Sequence, residues 1–138
     1  MADLSITAAD VQQSAAAEKR TAVSAEAIAA GQTVYKTAAG LVALADANVT
    51  ALTAASVGIA INSCGAGQPV SYAVKDSAFI AGAGTNIVIG EAYVVSAAAG
   101  GLAPIADLAS DDYVTLIGIG TSTSTIWLEP IATGAQHA

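Results

Sequence analysis

Gly31-Gln32-Thr33-Val34-Tyr35-Lys36-Thr37-Ala38-Ala39-Gly40-Leu41-Val42-Ala43-Leu44-Ala45-Asp46 is the stretch whose reading decides the fold. Two short apolar runs flank Ala38-Ala39-Gly40, a small-residue turn, so the segment reads as a hairpin. The same order returns downstream. Gly90-Glu91-Ala92-Tyr93-Val94-Val95-Ser96-Ala97-Ala98 is followed, past the insertion Ala99-Gly100, by Gly101-Leu102-Ala103-Pro104-Ile105-Ala106-Asp107. Each copy leads to a further strand, Val57-Gly58-Ile59-Ala60 in the first and Ile117-Gly118-Ile119-Gly120 in the second. This is one β supersecondary unit used twice, packed so that each copy covers the other's apolar face. Two copies are too few for a solenoid, which takes at least about three. The expectation is an all-β domain built from two similar halves: a small β-barrel, in the form of a jelly roll or a β-tulip.

Outward from the repeat, Val70–Val74 reads as a strand with Pro69 at its first position, where proline is tolerated. Asn86–Gly90, Tyr113–Gly120 and Thr125–Glu129 read as strands too. Pro130 is expected to stop the last one, and residues 132–138 to fray. These elements make a β domain over residues 29–138. Residues 1–28 differ. They hold six charges, no aromatic residue and few bulky apolar ones beyond Leu4, Ile6, Val11, Val23 and Ile28. That is too little burial to offset the entropy of ordering the chain. Residues 1–28 are therefore expected to form an N-terminal arm, mobile or docked on something else. Leu4-Ser5-Ile6-Thr7 alternates like a strand, whereas the Ala, Gln, Glu and Lys of residues 12–30 have the propensity of a helix.

Composition sets the outer bounds. The chain has 138 residues, a length suited to one domain, and a formal net charge of −7. It is 54% hydrophobic but only 4% aromatic, and 35 Ala and 13 Gly account for much of the difference. Four Lys and Arg against 11 Asp and Glu argue against nucleic acid and against an anionic membrane surface. The uncharged stretches 47–74 and 113–128 are interrupted by polar residues and Gly, short of the roughly 20 apolar residues a membrane helix needs. The N-terminus has no basic run followed by an apolar one, so no secretory signal is expected. Synthesis in a reducing cytoplasm follows, with Cys64 a free thiol. One Cys and one His cannot build a zinc site or a disulfide framework.

No reaction chemistry emerges from the motifs. Gly65-Ala66-Gly67 and Gly82-Ala83-Gly84 lack the Gly-Lys-Ser/Thr of a phosphate-binding loop. Asp107, Asp111 and Asp112 lack the ligand spacing of a calcium loop and read as a solvated acidic loop. His137 lies too near the chain end to be preorganised for a triad or for work with Cys64. The expectation is no enzyme, no cofactor and no metal. Trp127 on the last strand has two readings, core burial or an interface anchor, where Trp is enriched.

Several of these residues resemble a known group of proteins. They are the opening Met-Ala-Asp-Leu-Ser-Ile-Thr-Ala-Ala-Asp-Val, Ala30-Gly31-Gln32-Thr33-Val34-Tyr35, Val57-Gly58-Ile59-Ala60, Gly65-Ala66-Gly67-Gln68-Pro69, and Tyr93-Val94-Val95-Ser96-Ala97-Ala98-Ala99-Gly100-Gly101-Leu102-Ala103-Pro104. Over roughly residues 1–130 the chain resembles head decoration (capsid cement) proteins of tailed bacteriophages. The charged, Ala-rich segment 12–30 departs from that pattern. The resemblance implies a virion structural protein, made in the host cytoplasm, that binds and stabilises the outer surface of an icosahedral capsid. Its implied partners are the major capsid protein and further copies of itself, a trimer being favoured and a dimer possible. On this view Leu4, Ile6 and Val11 form a capsid-binding arm, adding a strand to a capsid-protein sheet, and Trp127 lies at the oligomer interface. The alternative is a head or tail fibre component or a host-binding virion adhesin.

Overall fold

The computed structural model describes residues 3–137. The domain is all-β, a curled antiparallel sheet that forms a half-barrel. In chain order its strands are β1 (Glu18–Val23), β2 (Thr33–Lys36), β3 (Val42–Leu44), β4 (Ser56–Ala60), β5 (Pro69–Ile80), β6 (Ala92–Val95), β7 (Leu102–Pro104), β8 (Tyr113–Gly120) and β9 (Thr125–Gln136). A single-turn helix, α1 (Ala51–Ala54), follows a capping box between Thr50 and Thr53.

The repeat read from the sequence is a structural repeat. In the first unit β2 pairs with β3 on one side and β4 on the other, and β4 passes to β5. In the second, β6 pairs with β7 and β8, and β8 passes to β9. Register and defects repeat as well. Val34 faces Gly58 and Tyr93 faces Gly118, and each pairing carries a register shift one residue later. Gly58 and Gly118 do the same work. A Cβ on Gly58 would lie 2.1 Å from the Ala73 carbonyl oxygen, and one on Gly118 would lie 2.2 Å from that of Trp127. Only glycine lets the next strand approach this closely.

β5 belongs to both units. Its first part pairs with β4 and with β1, and from Asp76 onward, across a bulge between Asp76 and Phe79, it pairs with β9. β1 thus stands to β5 as the second part of β5 stands to β9. The main core gathers Ile59 and Ala73 of the first unit with Phe79, Tyr93, Ile117, Ile126 and Leu128. A smaller cluster of Ile28, Val34, Val42, Ala60, Val70 and Tyr72 lies on the other face of the first unit.

The arm expected over residues 1–28 lies, from Asp3 onward, along the domain itself. The Leu4 amide donates to the Leu102 carbonyl at the edge of β7, Thr7 donates to Gly82, and Gln12 exchanges two hydrogen bonds with Ile80. Residues 18–23 form the strand β1, against the helix propensity of residues 12–30. Ala25 then donates to Val42 on β3, and Ile28 pairs with Cys64. The reason is that this segment caps strand edges whose N–H and C=O groups would otherwise go unpaired. Two further expectations change. Asn86–Gly90 is a loop, tied by Ile87 to the Thr123 carbonyl and by Val88 to the Tyr93 hydroxyl. Pro130 does not end the last strand, because a register shift there absorbs it and β9 pairs with β8 as far as Gln136.

Candidate functional site

The outer face of β8 and β9 carries a row of apolar side chains in solvent. Antiparallel pairing sets Ile119 opposite Trp127 and Leu116 opposite Ile131, and directly opposed residues point to the same face. Ile119 is 45% exposed and Trp127 51%, while their neighbours Ile117, Ile126 and Leu128 point inward to the core. Leu116, Gly118, Ile119, Trp127, Glu129 and Ile131 line a shallow hollow of about 270 Å³. Gly118 forms its floor, since the close approach of β9 leaves no room there for a side chain. The one carboxylate in the lining, Glu129, lies 3.6 Å from the Lys75 ammonium. Both side chains are half-exposed, so the pair adds little stability but neutralises the rim.

Of the two sequence readings of Trp127, the structure has it on the surface. Leu4, Ile6 and Val11 are elsewhere and turned inward. Val11 is buried, and Leu4 and Ile6 pack on the main core. Their cradle is made by two left-handed glycines: a Cβ on Gly31 would lie 2.3 Å from Ile6 Cγ2, and one on Gly82 would lie 2.6 Å from the Thr7 carbonyl. The Ser96 hydroxyl donates to the Asp3 carboxylate at 2.6 Å, fastening the segment near its start.

Of the carboxylates singled out in the sequence, Asp112 serves the backbone. Asp112 is buried and accepts from the Ala109 amide at 2.9 Å, and Asp111 holds a left-handed turn. Among the described residues no group of three His, Cys, Asp or Glu side chains is arranged to hold a metal ion. Sequence reasoning missed Asp76, which is buried at the β5 bulge and accepts hydrogen bonds from Ser14 and Ala78. Its only sequence signal was an acid beside an otherwise apolar strand. No protein-family model matches the chain, and a search of curated proteins finds no match.

Proposed function

We propose that the protein is a virion structural protein that binds the outer surface of an icosahedral phage capsid and stabilises it, as a decoration or cement protein. The observation that carries this reading is the exposed Ile119–Trp127 face on a β scaffold of two locked units. A solvated Trp beside a second large aliphatic residue is costly in water and is the usual anchor of a protein contact. The sequence resemblance to capsid cement proteins supplies the kind of partner, the major capsid protein, and the expectation of a homo-oligomer, with a trimer favoured. Low surface charge suits it, because few long charged side chains have to be ordered at a contact. Leu4, Ile6 and Val11 act as a capsid-binding arm only after exchange, since a strand bonded to Leu102, Gly82 and Ile80 must leave them before it adds to another sheet.

Electron cryo-microscopy of the intact particle tests the proposal. The expected result is density for this domain at regular positions on the outside of the capsid lattice, in copy number commensurate with the capsid protein. Density confined to an appendage, in tens of copies, would overturn it in favour of a fibre component or adhesin.

A further inference from the structure

The two units close their sheets in different ways. Val42 and Leu102 hold the same place in the repeat, opposite Lys36 on β2 and Val95 on β6. The Val42 carbonyl accepts from the Ala25 amide at 2.8 Å, just past the end of β1. The first unit is therefore a closed ring that runs β3-β2-β4-β5-β1 and back to β3. In the second unit the later part of β5 takes the place of β1, but beyond Ile80 the chain turns off at Gly82 and Gly84, both at positive φ. The Leu102 carbonyl accepts instead from Leu4, at 2.8 Å. Across the gap Thr7 donates to the Gly82 carbonyl at 2.8 Å, and Gln12 exchanges hydrogen bonds with Ile80. A piece of chain from outside the second unit thus supplies its missing strand.

We propose that the open side of the second unit is a strand-acceptor site, and that residues 3–14 are its resident, exchangeable occupant. The ligand it takes is an extended peptide with a carboxylate at its start and aliphatic side chains at alternate positions after it, as in Asp3-Leu4-Ser5-Ile6. Main-chain bonds to the edges of β7 and β5 give affinity, and side-chain pockets give specificity. The site is built for this shape. At one end Ser96 donates to the Asp3 carboxylate at 2.6 Å. At the other, buried Asp76 accepts from the Ser14 amide at 2.7 Å. Between them the wall is bare where the strand passes: a Cβ on Gly31, Gly82 or Gly101 would strike Ile6, the Thr7 carbonyl or the Asp3 carboxylate respectively. Hollows of about 290 and 320 Å³ open beside residues 3–6, so the strand lies in a slot open to solvent. It joins β1 through an exposed turn at Ala15 and Ala16. Tethered there, the resident strand acts at an effective concentration on the order of millimolar and keeps free peptides out. The site is thus self-blocked, and it opens when residues 3–14 leave. None of this depends on a capsid as partner.

The test uses the full chain with a protease site inserted between Ala15 and Ala16, cut after folding. The probe is a fluorescent synthetic peptide of residues 2–15. The expected result is that the cut segment stays with the domain through size exclusion and is replaced by excess labelled peptide, with unchanged far-ultraviolet circular dichroism. A peptide carrying Leu4→Asp and Ile6→Asp should bind at least about thirtyfold more weakly, since it loses the burial of two aliphatic side chains. The uncut chain should take up neither peptide. Three results would overturn the proposal. A cut segment that never exchanges, or whose departure unfolds the domain, is a fixed part of the fold. A folded domain that loses the segment and does not bind the peptide has no acceptor site. Equal binding of the two peptides would show that the slot does not read the aliphatic positions.

Discussion

The Ser14 amide donates to the buried Asp76 carboxylate at 2.7 Å, tying the N-terminal segment to the bulge where β5 leaves one unit for the other. The Ser14 hydroxyl donates to the second carboxylate oxygen, and the Ala78 amide donates there at 3.0 Å. Asp76→Ala leaves these donors without an acceptor. Hydrogen bonds to a charged group contribute about 1.5–3 kcal/mol each, and they are not additive. The expected loss is about 3 kcal/mol in urea unfolding, with Asp76→Asn losing less. Amide exchange at Ser14 and Ala78 should quicken in both variants, and unchanged exchange would show that the clamp is not closed in solution.

The paired glycines make a sharper case. Gly58→Ala and Gly118→Ala each drive a Cβ into a carbonyl oxygen of the adjacent strand, and overpacking of this kind costs about 1–3 kcal/mol. Gly40 has positive φ but open space around its missing Cβ, so Gly40→Ala bears only the conformational cost of about 1–2 kcal/mol. Thermal unfolding of the three variants should leave Gly40→Ala the most stable. Equal losses would mean that the strands give way to admit the methyl group.

Alkaline pH should weaken the domain through Tyr72. Burial raises its phenol above the ordinary value, against a smaller lowering by the Arg20 guanidinium. The folded state therefore holds this proton more tightly than the unfolded state does. Its contribution is complete below about pH 10, the unfolded pKa, and is lost as pH rises from there through the folded value. Stability measured from pH 9 to 12 should fall more steeply in the natural protein than in Tyr72→Phe. Parallel curves would remove Tyr72 from the account.

Trp127 is the single tryptophan, so fluorescence reports on the exposed face alone. The free monomer should emit at long wavelength and be quenched freely by acrylamide, and assembly should shift the emission to the blue. Trp127→Ala should change monomer stability by no more than about 0.5 kcal/mol, as at other surface sites. Leu128→Ala, one residue along and fully buried, should cost about 2–5 kcal/mol.

Deleting residues 2–9 removes Leu4 and Ile6 from the edge of the main core. Fully burying one aliphatic side chain contributes about 1.5–3 kcal/mol, and these two are partly buried, so a loss of about 2–4 kcal/mol in chemical denaturation is expected. The truncated domain should still fold, because β1 and the Asp76 clamp remain. If the segment is the capsid-binding arm, the folded truncated domain should fail to bind capsids, and undiminished binding would exclude that role for Leu4 and Ile6.

The two-unit β architecture was legible because a β strand writes its pattern locally: Gly31 to Asp46 and Gly90 to Asp107 each carry turn, alternation and glycine in the same order. β1 was not legible, since Glu18-Lys19-Arg20-Thr21-Ala22-Val23 is almost wholly exposed and its strand conformation comes from pairing with residues 69–75. Local propensity there points to a helix, and tertiary pairing overrides it. The continuation of β9 past Pro130 was hidden for a similar reason, because a bulge accommodates the proline and no local signal marks one. For Trp127 the sequence offered core burial and an interface anchor with no local signal to choose between them. Composition does not say which face of a strand is covered, and the two units, alike in sequence, present opposite faces to the core.

β5 also sets an order of events during synthesis. Its first part has partners in β1 and β4, both made before it, whereas Phe79 and Ile80 pair with Ile126 and Thr125 near the far end of the chain. At about 5–20 residues per second, the ribosome leaves this aromatic end of the strand without its ladder for a time on the order of seconds. The Gln12–Ile80 hydrogen bonds, available as soon as Ile80 emerges, shield one edge of it during that interval. The N-terminal segment thus supplies an early partner to a strand end whose final partner is made last.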